Sequence, residues 1–346
     1  MESVMMLNPP AQAYCRLAPS ERARLIVVID TEEEFDWSRN FSRANTAVTA
    51  MRHIRRVQEI FDRYGITPVY VIDYPVASNP EGYEPLQEIH AAGRCLIGAH
   101  LHPWVNPPYD EDVTRFNSFP GNLPAPLEAA KLRVLRDCIG ERFGLPPVIY
   151  KAGRYGIGSR TADILLGEGF EVDLSVCPFM DYSHEGGPDF SQQSYWPYWV
   201  RSRQLLELPL TVGYAGLLRR WGRTIHGMAS SGFLNSCRAV GLLARSQLVN
   251  KVWLTPEGFL SSEHRKLTKA LYSDGLRVFS FAFHSPSVEP GHTPYVASQR
   301  DLEIFLSRCE QFFDFFLGKL GGCPTTPLEL VKEFRALTPR PAVEGL

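Results

Sequence analysis

The sequence predicts a parallel α/β protein of barrel-like form, and three observations lead there. Short apolar runs rich in β-branched residues alternate with helix-period segments that stop at glycine. Polar residues follow nearly every apolar run, the arrangement by which (β/α) barrels build sites at strand ends. Neither GxGxxG after a strand nor GxxxxGK[ST] occurs, which argues against an open nucleotide-binding sheet.

The elements follow in order. Leu25–Ile29, inside Arg24–Trp37 (RLIVVIDTEEEFDW), is too short for a helix and reads as a strand buried on both faces. It ends in a burst of acid: Asp30, Glu32, Glu33, Glu34 and Asp36. Thr46–Tyr64 has a helical period and stops at Gly65. Pro68–Ile72 is a second strand, Glu84–Ala92 a helix closed by Gly93, and Cys95–Ala99 a third strand ending at His100-Leu101-His102. Glu128–Phe143 is a helix ended by Gly144, and Pro147–Tyr150 a strand ending in Lys151-Ala152-Gly153-Arg154. Ser159–Glu168 is a helix before a fifth strand, Val172–Val176. Residues 177–275 break the rhythm. They read as an irregular, aromatic-rich insertion with one strand, Gln204–Leu208, and one helix near Phe233–Leu248. Arg277–Phe283 restores the strand pattern and ends at His284, and Gln299–Leu317 is the last amphipathic helix. The domain expected is 24–330, preceded by a loose arm at 1–23 and followed by a tail at 331–346.

Composition narrows the function. The 346 residues are 44% hydrophobic and 21% charged, ordinary for a soluble globular chain, and a net charge of −2 does not suggest a nucleic-acid partner. No stretch approaches a membrane span and the start lacks a secretory pattern, so a cytoplasmic setting is expected. Seven scattered cysteines, an odd number without a CxxC pair, read as free thiols, with Cys95, Cys138 and Cys177 in apolar settings. Nothing indicates an oligomeric state.

In a barrel the strand ends converge on one mouth. There, two imidazoles and a carboxylate make a first set of ligands for a divalent transition metal with open positions. A second carboxylate can take a proton from water made acidic by the metal, and a further His can protonate a leaving group. An Arg beside the base carboxylate would keep it ionised. A lone His is more often a satisfied core or surface residue, the reading for His53, His90, His226 and His264. A ferrous oxygenase also uses two His and a carboxylate, but it leaves Asp30, Arg154 and His284 without roles.

The order Asp-x-Glu, His-rich turn, Arg-containing turn and late His resembles the NodB-homology polysaccharide deacetylases, carbohydrate esterase family 4. DTEEEFDW, GAHLHPW, NSFPGNLP, YKAGRYG, GGPDFS and the FHSPS and GHTPYV segments resemble the WalW-like branch as a set. The resemblance covers roughly residues 24–176 and 277–330. It implies a distorted barrel of seven or eight strands and metal-dependent hydrolysis of an N-acyl group, an acetyl first, on a sugar or glycan. It implies zinc, with cobalt, nickel or manganese as alternatives. Asp30 would be the base, Glu32, His100 and His102 the metal ligands, Arg154 the partner of Asp30, His284 the acid and Asp173 its orienting carboxylate. Trp37, Trp104, Tyr155, Trp196 and Trp199 are the expected substrate-binding aromatics. The family's His pair is usually separated by three residues. Here only Leu101 intervenes, and Glu32 stands where Asp is commoner, so one His need not be a ligand. A non-carbohydrate amide hydrolase and an inactive carbohydrate- or partner-binding homologue are the alternative functions.

Overall fold

Leu25–Ile29 lies inside β1 (Arg24–Thr31), in which every residue from Leu25 onward is buried. Parallel strands flank it on both sides, which is why its sequence shows no polar alternation. The structure is a computed structural model describing residues 6, 7, 9–36, 39–229, 241, 243, 245, 246 and 248–337. After β1 come α1 (Arg55–Arg63), β2 (Val69–Ile72), α2 (Tyr74–Ser78), α3 (Pro80–Ala91), β3 (Leu96–Leu101), α4 (Ala125–Phe143), β4 (Ile149–Ala152), α5 (Thr161–Gly167) and β5 (Val172–Asp173). Then follow β6 (Tyr198–Val200), β7 (Leu205–Glu207), β8 (Val212–Ala215), α6 (Gly222–Ala229), β9 (Asn250–Trp253), α7 (Ser261–Ser273), β10 (Val278–His284), α8 (Gln299–Phe313), β11 (Cys323–Pro324) and α9 (Pro327–Ala336).

The main sheet runs β10-β1-β2-β3-β4-β5-β7-β6, parallel except for β6, with β11 added at the start of β1. Strand periodicity sorts its residues between two cores. Leu25, Val27, Ile29, Tyr70, Ile72, Ala99, Leu101 and Tyr150 belong to the core that includes α1, α3 and α4 residues. Ile26, Val28, Val69, Val71, Ile149, Val172, Leu174, Leu206 and Val278 form the barrel interior. Leu330, Val331 and Phe334 of α9 join that interior, as do Cys15, Leu17 and Trp199.

The curl of the sheet continues past β5 through further backbone hydrogen bonds. Leu210 N–H donates to the Val176 carbonyl (2.9 Å), Leu254 N–H to Thr211 (3.0 Å), and Ala282 N–H to Leu254 (3.1 Å). The turn before β8 and the end of β9 thus stand where regular staves would, and the result is a distorted α/β barrel. β8 and β9 themselves pair antiparallel, as a separate two-stranded sheet.

Residues 177–275 are more regular than the sequence suggests. They hold β6, β7, β8, β9, α6 and α7, of which only the Gln204–Leu208 strand is foreseen. These strands are three or four residues long, too short for a period of two to emerge among the aromatics. The helix expected near Phe233–Leu248 lies largely outside the described residues. The loose arm expected at the start packs instead: Cys15 N–H donates to the Pro197 carbonyl, and Tyr14 stacks edge-on against Tyr198. Cys95 and Cys177 are buried and Cys138 half-buried, all as free thiols. Among the described residues no helix is long and apolar enough to cross a membrane.

Candidate active site

His100 is the penultimate residue of β3 and His102 follows it directly. Their spacing of two on extended backbone points both to the face of Gly98, toward the barrel interior. A Cβ at Gly98 would lie 2.8 Å from Val71 and 2.9 Å from the Ile149 carbonyl, so the strand is pressed close there. Nε2 of His100 lies 3.5 Å and Nε2 of His102 3.6 Å from the same Glu32 oxygen, and all three residues are buried. The remote nitrogens are held elsewhere. His100 Nδ1 is 2.9 Å from the Lys151 carbonyl. A carbonyl only accepts, so Nδ1 carries a proton there, and Nε2 is the nitrogen turned toward Glu32. His102 Nδ1 is 2.7 Å from Glu33, and when it donates there Nε2 is bare. Burial, with His100 beside it, pulls His102 down to about 4, which keeps it in the neutral, ligating form.

The other oxygen of Glu32 is buried without a partner. An orphaned carboxylate oxygen is costly in an apolar interior and is explained by a ligand. Glu32, His100 and His102, whose donor atoms lie within 4.8 Å of one another, therefore fit a divalent metal ion. Glu33, Asp73 and His102 form a second close group. Its carboxylates are already engaged: Glu33 accepts from Trp104 Nε1 (2.7 Å), and Asp73 accepts from the backbone of Glu33 (2.7 Å) and Val76 (2.9 Å). Burial pushes Glu33 up to about 8 and Asp73 well above its usual range. That group props up the His102 ring and its stacked neighbour Trp104.

Beside this cluster the strand register places two charged dyads. Asp30 of β1 lies opposite His284 of β10, with 3.8 Å between the carboxylate and Nε2. Lys151 Nζ sits 2.6 Å from each Asp30 oxygen. Burial opposes the Asp30 charge, but Lys151, aided by His100 and His284, holds the carboxyl below its usual range. Glu257, in the turn after β9, accepts from His284 Nδ1 at 2.8 Å. Burial opposes the imidazolium, but Glu257, with Glu32 and Asp30, raises His284 to about 10. Asp30, Lys151, Glu257 and His284 line one cavity of about 340 Å³, the scale of a small-molecule site.

Two expected neighbours lie elsewhere. Arg154 is not beside Asp30. It sits in a turn where it and Tyr155 have φ of 53° and 60°, an uncommon conformation for side chains with a Cβ. Arg154 bonds Ser118 (2.6 Å) and Glu185 and lies over the Phe119 ring, while Lys151, two residues into β4 from Ile149, takes the place beside Asp30. Asp173 does not orient His284. Val172 and Leu174 point into the barrel, so Asp173 between them faces the other way, opposite Glu207 of β7. The carboxyl bonded to His284 belongs to Glu257.

The aromatics divide similarly. Tyr155 lines the cavity, joined by Trp253, which the sequence does not single out. Trp104 is buried behind the His cluster. Trp199 is in the barrel's far core, where Arg203 and Arg335 lie over its ring. Trp196 packs under Arg16, and Trp37 lies outside the described residues. His226, expected to be incidental, lines the cavity, whereas His264 is buried and bonds the Thr255 carbonyl.

No family model and no curated protein sequence matches the chain. Solved structures do. A protein described as a polysaccharide deacetylase, from Mycobacterium smegmatis, superposes with a TM-score of 0.52 at 15% identity, over 96% of this chain and 99% of that one. PuuE allantoinase gives 0.52 at 14% identity, over 98% and 99%. The α-amylase AmyC of Thermotoga maritima gives 0.50 at 10% identity, over 92% of this chain and 75% of that one. The chain shares the fold of that deacetylase. At these identities the likeness is one of backbone, and chemistry has to be argued from the site.

Of the residues that sequence reading missed, Lys151 had a usable signal. Lys151 follows Ile149 by two, as Asp30 follows Val28 and His284 follows Ala282, so a period of two carried past the apolar run points each into the mouth. Glu257 had none, because its turn belongs to no recognised strand.

Proposed function

We propose that the protein is a metal-dependent hydrolase that removes an N-acyl group, an acetyl first, from a sugar or glycan. The observation that carries this reading is the buried Glu32, His100 and His102 cluster lying beside the Asp30–Lys151 and His284–Glu257 dyads. The NodB-like order of these residues supports membership of that deacetylase family, and the barrel shared with a polysaccharide deacetylase is consistent with it. Glu32, His100 and His102 would hold a divalent ion, which when bound would supply Lewis acidity to an acyl carbonyl and to water.

The chain's own residues do the rest. Asp30, kept ionised by Lys151, takes the proton from the attacking water. Glu257 fixes the His284 ring and favours its protonated form, from which Nε2, facing Asp30, delivers a proton to the departing amine nitrogen. The base and the acid therefore start in opposite charge states on adjacent strands, as one proton accepted and one donated require.

The test is metal analysis after purification without chelator, paired with acetate release from N-acetylglucosamine and its oligomers. About one equivalent of metal is expected. Acetate release should cease on chelation and return with zinc, cobalt, nickel or manganese. Absence of both metal uptake and acetate would overturn the reading in favour of a non-catalytic binding protein.

A further inference from the structure

Lys251 of β9 lines the same cavity as Asp30, Lys151 and His284. Lys151 is engaged by Asp30 and Glu257 by His284. Lys251 has no carboxylate within 4.0 Å among the described residues. Its Nζ reaches only neutral groups there, the Phe179 carbonyl and the Met180 sulfur, both at 3.3 Å. The same cavity is lined by Tyr155, Met180, Trp253 and Phe259 as well. A half-buried ammonium in such a cavity loses hydration without gaining a counter-charge. Burial correspondingly pulls its pKa down.

The surrounding sequence supplies no counter-charge either. Residues 208–256 contain no Asp or Glu but hold Arg219, Arg220, Arg223, Arg238, Arg245 and Lys251. Of these, Arg219 pairs with Asp274 from outside the stretch, while Arg220 and Arg223 are exposed. The segment that forms one wall of the cavity is thus strongly basic within a chain of net charge −2, and such a field draws anions.

We infer that the substrate bears an anionic group, a carboxylate or a phosphate, that seats on Lys251 while its N-acyl group lies against Asp30 and His284. The acyl end of this assignment rests on the hydrolase reading, whereas the anion seat does not. The cavity's volume is that of a small-molecule site, so a charged monosaccharide, free or as one residue of a glycan, is the class that would fill it.

The experiment is calorimetric titration of the full-length protein with three probes: N-acetylglucosamine, N-acetylglucosamine 6-phosphate and N-acetylmuramic acid. At least one charged probe should bind about tenfold or more tighter than the neutral sugar, and which one separates phosphate from carboxylate. Lys251→Met should bring the charged-to-neutral ratio to within about twofold of unity, and Lys251→Arg should keep most of it. The ratio is read on a single preparation, so partial loss of folded protein does not move it. No preference in the unmodified protein, or a preference undiminished in Lys251→Met, overturns the inference. Acetate release measured in parallel tests the other reading. Preference without metal uptake or acetate would overturn hydrolysis and leave the anion seat standing, and acetate without preference would do the reverse.

Discussion

Asp30 and Glu32 are two residues apart and both buried, yet their surroundings assign them different work. Lys151 occupies Asp30 fully, while Glu32 faces two imidazoles and keeps one oxygen unpartnered. Asp30→Asn and Lys151→Met should therefore lower turnover by about 10²-fold or more, the scale of one proton-transfer group, while metal content stays near that of the parent. His100→Ala and Glu32→Gln should lose the metal itself. Metal analysis beside acetate release checks this, and an Asp30→Asn protein stripped of metal would mean the carboxylates are interchanged. Glu257 can be tested by pH. Its charge helps raise His284 to about 10, so protonated His284 persists through neutral pH and is lost above that value. Glu257→Gln removes the negative charge and should move the alkaline limb of the rate profile to lower pH. The stability that goes with the raised pKa is complete below the unfolded value of about 6.5 and is lost as pH rises toward about 10. The gap in melting temperature between parent and Glu257→Gln should shrink over that window. An unmoved limb would remove Glu257 from the mechanism.

At the level of elements, the sequence was most legible where strands are long and buried on both faces. β1, β2, β3 and β10 show as apolar runs because parallel neighbours and covering helices leave no solvent face. The two-residue spacing of His100 and His102 becomes intelligible with them. Residues four apart meet on a helix, residues two apart on a strand, and β3 carries its extended backbone into the pair. The region after β5 was illegible for the converse reason, since its strands are short and its placement depends on distant contacts. Arg154 and Asp173 show the same limit at single positions. One was misplaced because a left-handed turn swings it away from the mouth, the other because strand parity puts it on the opposite face. α9 went unread as well, although it enters the barrel interior through Leu330, Val331 and Phe334. Phe334→Ala should destabilise the protein by about 3–5 kcal/mol, the usual loss for a fully buried aromatic. Denaturant unfolding measures this, and a loss below about 1 kcal/mol would show that α9 covers the barrel without bracing it.

For the molecule as a whole, the main sheet and the stretch that closes it are built differently. From β10 to β4 each strand pairs with the next in a parallel ladder over several residues, whereas Leu210 meets Val176 and Ala282 meets Leu254 through backbone bonds that lie outside the named ladders. Leu210, Thr211, Leu254 and Ala282 are also cavity-lining residues. Amide protons at Leu210 and Ala282 should accordingly exchange with deuterium faster than those of Val27 and Val28, because their bonds to Val176 and Leu254 lie outside the extended ladders. A tightly held ligand should slow them selectively. Equal protection across both regions in the free protein would mean that the closure is as firm as the sheet. If the contrast holds, the barrel works like a hinged tub in which the rigid staves hold the reacting groups and the weakly fastened one serves as the door.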